Sequence, residues 1–273
     1  MDYVLLVIVG FVAGISAGLL GIGGSVVMIP GLVLIFGGNG QHLYQAAAMI
    51  ANFFVIAPAV LRHWRVKAML WPVIRLTIPS SIVGAVAGVY ASDLPVFRRG
   101  GQGYLQIAFA AFLVYVVVYN LWRLRPGAAM RRAAEAGSPR LSSSLIVLLV
   151  GLPAGLLAGL LGIGGGLFAV PAQQIALRIR LPNAIANSAA TILCSSIVGA
   201  AVKNHHLAEH GFGISQSVML AACLIPSAMI GSWVAAAKVH QWPVSAIRVA
   251  FVIVLAYSAV KVFLAGWGQV GAL

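Results

Sequence analysis

Gly10-Phe-Val-Ala-Gly-Ile-Ser-Ala-Gly-Leu-Leu-Gly-Ile-Gly-Gly24 runs on to Pro30, and Gly151-Leu-Pro-Ala-Gly-Leu-Leu-Ala-Gly-Leu-Leu-Gly-Ile-Gly-Gly165 runs on to Pro171. Every glycine and the closing proline return at one constant offset. Both copies lie in apolar sequence, so the chain reads as a duplicated membrane protein with a glycine break at matching places. Paired Gly-interrupted apolar segments point to the binding site of a transporter.

Composition agrees. Hydrophobic residues make up 62% of the chain and charged residues 8%, far from soluble usage. At about 20 residues per crossing, eight apolar blocks emerge: Val4–Phe36, Tyr44–Leu61, Ala68–Ala91, Tyr104–Leu124, Leu145–Leu177, Ala184–Val202, Ser215–Ala237 and Val244–Trp267. The expected fold class is all-α and polytopic. The net charge of +13 comes from basic residues scattered over short loops, where they act as topology signals. Nucleic acid is rejected as a partner, and the lipid bilayer is the expected one. Asp2 in place of a basic n-region argues against a cleavable signal peptide. Cys194 and Cys223 fall in apolar blocks and suggest no disulfide framework.

The repetition continues beyond the glycines. Arg62 and Lys203 keep the same offset, and Ile78-Pro-Ser-Ser-Ile-Val-Gly84 matches Ile225-Pro-Ser-Ala-Met-Ile-Gly231 after a short insertion. Each half is four blocks: residues 1–124 form the first repeat and 145–273 the second. Residues 125–144 form a linker with Pro126, Gly127, Gly137 and Pro139.

As one straight helix Val4–Phe36 would be about 50 Å long, against a hydrocarbon core of about 30 Å. Gly21, Gly23 and Gly24 crowd its middle, and each costs a helix roughly 1 kcal/mol relative to Ala. The block is therefore a broken helix that either crosses with a kink or turns back. The linker, with Arg123, Arg125, Arg131, Arg132 and Arg140, should be cytoplasmic. If the first block of each half turns back, Arg178, Arg180 and Lys238 join it there with Arg62, Arg65 and Lys67, while Lys203 lies outside beside Arg98 and Arg99. This arrangement obeys the positive-inside bias better than one crossing per block, and it makes the repeats inverted.

Non-helical backbone at membrane depth survives only when buried or facing a wet cavity. Gly21, Gly23, Gly24 and Ser25, with Gly162, Gly164, Gly165 and Gly166, are candidate substrate-binding positions. Missing side chains admit a ligand to the main chain, and a half-helix starting there directs amides and a positive dipole end at an anion. Gly10, Gly14, Gly18, Gly151, Gly155 and Gly159, spaced four apart, read first as helix-packing positions. Asn187, Ser188, Thr191 and Ser195 lie along one apolar block, and Asn52 is the polar group of the corresponding block in the first half. Together they would line a cavity; individually, such residues also glue helices. Arg75 and Arg248 are possible charge partners, although each is near enough to a block end to snorkel. Arg62 and Lys203 read as topology signals. The four acids, Asp2, Asp93, Glu135 and Glu209, are all expected in loops or at a terminus, and His205, His206 and His210 in a solvated loop. No metal site, triad, catalytic residue or cofactor is indicated. A pore without buried acids suits anions.

The twin Gly-Leu-Leu-Gly-Ile-Gly-Gly motifs, each followed by an apolar stretch and proline, resemble those of the TauE/SafE family over nearly the whole chain. The resemblance covers Gly18, Gly21, Gly23, Gly24 and Pro30, and Gly159, Gly162, Gly164, Gly165 and Pro171; Ser25 departs from it where the second copy has Gly166. It implies transport of sulfite, thiosulfate or an organosulfonate across the cytoplasmic (inner) membrane of a prokaryote, with no enzymatic activity. A proton or sodium would be the coupling ion, and a homodimer is allowed for. An anion channel, or a sulfur-relay protein using Cys194, is the alternative.

Overall fold

The computed structural model describes residues 2–20, 23–97, 101–124, 142–238 and 244–271. Its regular structure there is helical: α1 (Asp2–Leu20), α2 (Ser25–Phe36), α3 (Gln41–Arg65), α4 (Trp71–Ser92), α5 (Gln102–Leu124), α6 (Ser143–Leu161), α7 (Gly166–Ala176), α8 (Leu181–His206), α9 (Ile214–Lys238) and α10 (Val244–Val270). Among the described residues, seven helices are long and apolar enough to cross a membrane. The linker between α5 and α6 lies almost wholly outside the described residues. Exposed Trp233, Ile253 and Leu264 mark a surface made for hydrocarbon, since water would not tolerate so much apolar area.

The long first block of each half is two helices. α2 folds back along α1: a Cβ on Gly24 would meet the Ala13 backbone, and one on Gly31 would meet Val9. The second block repeats the turn, with Gly165 against Ala154 and Ala158. Proline does not end either second arm. Pro30 and Pro171 lie inside α2 and α7. α6 opens with a π-helical stretch over Ile146–Gly151, a wider turn placed where it packs on α4.

The glycines spaced four apart pack helices. A Cβ on Gly14 would land on the Ala228 carbonyl of α9, and Gly10 and Gly18 meet Leu224 and Ser232 in step, so α1 and α9 run parallel. Gly151, Gly155 and Gly159 meet Ser80, Ser81 and Ala85 of α4 in the same manner. Small residues bring the backbones together where lipid supplies no hydrophobic force between helices. The first helix of each half therefore rests on the other half. α3 and α8 cross antiparallel: Met49 fills the space at Gly199, and Ile56 packs with Ala189 and Ile192.

Exposed Arg65, Lys67, Arg178 and Arg180 share one end of the bundle, because Asn183 Nδ2 donates to the Ala68 carbonyl at 2.8 Å. At the other end the structure corrects three expectations. Asp93 is buried rather than looped into solvent, His210 is buried with it, and Lys203 is only 1% exposed. Local sequence gives each of them a place in a loop or at a block end. The fold buries them by bringing the ends of α4 and α8 against the start of α3.

Candidate functional site

The two glycine breaks meet at the crossing of α3 and α8. At the first, Gly23 has φ +83° and α2 begins at Ser25. Opening helical amides need acceptors, and α3 supplies one. Asn52 Oδ1 accepts from the Gly24 amide at 2.8 Å and the Ser25 amide at 3.2 Å, while Asn52 Nδ2 donates to Ser25 Oγ at 2.8 Å. The cap comes from another helix because Gly24, the N-cap, has no side chain of its own.

The second break differs. Gly162, Gly164 and Gly165 all have positive φ, at +74°, +72° and +76°. Position 193, which matches Asn52 at the repeat offset, is leucine, so no equivalent cap exists. Among the described residues no acceptor meets the Gly164 or Gly165 amide. Around Gly164, a Cβ would find Asn52 Nδ2 at 2.9 Å, Ile192 at 3.0 Å and Ser196 Oγ at 3.3 Å. Ser196 is fully buried, and its hydroxyl has no hydrogen-bond partner. Uncapped amides at the start of α7 and an unspent hydroxyl thus converge on one glycine. Positive dipole and donors together favour an anion. Gln45 closes the other side, donating from Nε2 to the Leu160 carbonyl at 3.3 Å.

The expected polar residues divide into two groups. Gly23, Gly24, Ser25, Asn52, Gly162, Gly164, Gly165 and Gly166 come together, and all are buried. Asn187, Ser188 and Thr191 lie further along α8 in a network of their own. Asn187 Oδ1 accepts from the Leu70 amide at 2.8 Å, and Asn187 Nδ2 donates to Gln173 Oε1 at 3.0 Å. Gln173 Nε2 donates to Ser188 Oγ at 2.9 Å, and Thr191 Oγ1 lies 3.2 Å from Thr77 Oγ1. This network ties α7, α8, α4 and the α3–α4 turn. Ser195 bonds weakly within its own helix, to Ile192. Arg75 is exposed on α4 and is not brought to the breaks. Gly21 and the Arg248 side chain lie outside the described residues. Cys194 and Cys223 are free thiols, both partly exposed.

Of the two serines beside Cys194, Ser195 is the one the sequence singles out and Ser196 is the one that faces the breaks. Successive helical positions point about 100° apart, and only the packing of α8 on α3 decides which serine faces the breaks.

The family described as "Sulfite exporter TauE/SafE" matches residues 6–262. The chain belongs to the TauE/SafE family. Similar proteins include the "Probable membrane transporter protein MamO" of Paramagnetospirillum magneticum, 28% identical over 95% of this chain and 44% of that protein. MamO of Magnetospirillum gryphiswaldense is 29% identical over 91% of this chain and 43% of its own. The "Probable membrane transporter protein YunE" of Bacillus subtilis is 25% identical over 87% of this chain and 88% of its own. The chain thus spans less than half the length of the two MamO relatives. No solved structure is significantly similar. Membership and helices together make this a TauE/SafE multi-pass membrane protein of a transporter family.

Proposed function

We propose that this TauE/SafE protein is a secondary transporter of a small sulfur-containing anion, such as sulfite, thiosulfate or an organosulfonate, in the cytoplasmic membrane of a prokaryote. One observation carries the reading. The α2 amides are already capped by Asn52, whereas the Gly164 and Gly165 amides and the Ser196 hydroxyl have no acceptor among the described residues. An oxyanion seated at the start of α7 would satisfy them, with Asn52 Nδ2 beside it. The resulting site is single and asymmetric, although the motif that builds it is duplicated.

The two halves act as inverted repeats in this reading. Support comes from α3 and α8, whose last turns carry Arg62 and Lys203 at the repeat offset and whose axes cross antiparallel. Alternating access then moves mixed bodies rather than intact halves. α1 would move with α9, and α6 with α4, because each pair is closely packed through its glycine stripe. The described site residues are buried, so in this reading the bodies part at the α3–α8 crossing to admit the anion.

Reconstitution in liposomes tests the reading. Saturable uptake of sulfite, thiosulfate or a sulfonate, driven by a proton or sodium gradient, is the expected result. No flux of any sulfur anion by folded protein would remove the substrate assignment. Flux without saturation or counterflow would replace the transporter with an anion channel.

A further inference from the structure

A second polar cluster lies at the opposite end of the α3–α8 pair from the exposed basic residues. His42 comes from the start of α3, Asp93 from the end of α4, and Lys203, His206 and His210 from the end of α8 and the turn after it. His42 is fully buried and His210 is 5% exposed. Their rings stack face to face with centroids 3.6 Å apart and planes within 10°.

The hydrogen bonds fix which nitrogens carry protons. His210 Nε2 lies 2.8 Å from Asp93 Oδ1, and His42 Nε2 lies 3.2 Å from the Phe97 carbonyl. Both face oxygens that only accept, so both are N–H donors. The two Nδ1 atoms are then bare lone pairs, buried and without a hydrogen-bond partner. His42 Nδ1 is 3.9 Å from Asp93 Oδ1, so a proton placed there would face a carboxylate. Parallel rings at this separation repel a second positive charge, which limits the pair to one proton.

We propose that His42 and His210, held against Asp93, form a proton-binding site that takes up one proton on a bare Nδ1. A path from water reaches it. His206, whose side chain is 16% exposed, lies 3.3 Å from Asp93 Oδ2 and 3.6 Å from Glu209, which is half exposed. Tyr90 packs edge-on against His206. Lys203, buried beside the cluster, donates to Ser92 Oγ and balances the Asp93 charge. Burial by itself would raise the Asp93 carboxyl, but the His210 hydrogen bond and the Lys203 charge outweigh it and hold the group below its usual range. The carboxylate therefore stays ionised, and an added proton goes to an imidazole.

A metal ion suits this arrangement poorly. The three side chains can bring ligand atoms within 4.8 Å of one another. A metal bound to imidazole lies in the ring plane along the lone pair, however, and two parallel planes do not share such a point.

Among the described residues the other end holds no such cluster. At the repeat offset, His42, Lys203 and His210 are matched by Asn183, Arg62 and Met69, so duplication does not explain it. Resting on the transporter reading above, the proton bound here is the coupling ion. It adds positive charge where α3, α4 and α8 meet, at one mouth of the pair that also carries Asn52 and Ser196.

The test has two readouts on the full-length protein. In detergent, nitrogen NMR of labelled histidine should show the stacked pair taking up one proton as the pH is lowered, with the titration displaced in Asp93→Asn. In liposomes, uptake of thiosulfate or sulfite should be stimulated by an acidic exterior, and His210→Gln should flatten that pH profile and lose accumulation against a gradient. His42→Gln serves the same purpose if another variant fails to insert. A pair that does not titrate, or that takes up two protons, overturns the site. An unchanged pH profile in both His210→Gln and His42→Gln overturns it as well. A wild-type protein whose pair takes up one proton but which moves no sulfur anion keeps the proton site and sinks the anion assignment.

Discussion

Asn52 accepts the Gly24 amide through Oδ1 at 2.8 Å, and its Nδ2 lies 2.9 Å from the place a Cβ would take on Gly164. One side chain therefore closes the first glycine break and stands at the edge of the second. Replacing it with leucine would strand two buried amides and the Ser25 hydroxyl, at a cost of about 1–3 kcal/mol for each group left unsatisfied. Asn52→Leu should melt at lower temperature and lose transport. Asn52→Asp keeps the accepting oxygens but places negative charge beside the anion, so transport should fall further than stability. Thermal unfolding measured alongside flux checks both.

Ser196→Ala separates binding from folding. Its hydroxyl has no partner in the protein, so its loss should leave the melting temperature unchanged. A hydrogen bond to a charged group contributes about 1.5–3 kcal/mol, which predicts a rise of roughly 10- to 100-fold in the anion's half-saturation concentration. An unchanged half-saturation would remove Ser196 from the site.

Gly23→Val and Gly164→Val should insert normally and move no anion. Both positions hold positive φ, at +83° and +72°, which a β-branched residue adopts only with strain. At Gly164 the new side chain would also fill the space beside Asn52. The check is flux normalised to folded protein in the membrane; normal flux in both variants would end the case for a glycine site.

The packing glycines should behave differently. Gly14→Leu and Gly155→Leu would drive side chains into the Ala228 and Ser81 carbonyls, separating α1 from α9 and α6 from α4. Overpacking of this kind typically costs about 1–3 kcal/mol or more. The yield of folded protein and its melting temperature should drop together, with no selective change in anion affinity of what remains.

Cys194→Ser should transport as the wild type does. The thiol is free and only partly buried, and the site described above does not use it. Loss of activity in this variant would revive the sulfur-relay reading.

The helices were legible because apolar runs, glycine clusters and prolines act locally. The repeat offset made the two breaks visible at once, and the spacing of Gly10, Gly14 and Gly18 announced a packing stripe. The partner of that stripe was not readable. Nothing in α1 alone selects α9 of the other half over its own α4, since the matched Pro-Ser segments of α4 and α9 are nearly alike. The site shows the same division. Sequence marked Asn187, Ser188 and Thr191 as polar residues in an apolar run, but only packing shows that they spend their hydrogen bonds on Gln173, Leu70 and Thr77. Ser196, one position from a serine that was singled out, is the one whose hydroxyl remains unspent.

The amino-acid sequence alone carries a membrane protein with a duplicated glycine motif, each copy interrupting an apolar segment and baring its backbone. Those properties follow from composition and local backbone preference. Tertiary structure decided that one break is capped and the other open, and that Asp93, His42, His210 and Lys203 share one buried corner. The reason is physical: a cap or a buried charge cluster exists only when residues far apart in the chain meet, and local pattern carries no record of which distant side chain will arrive.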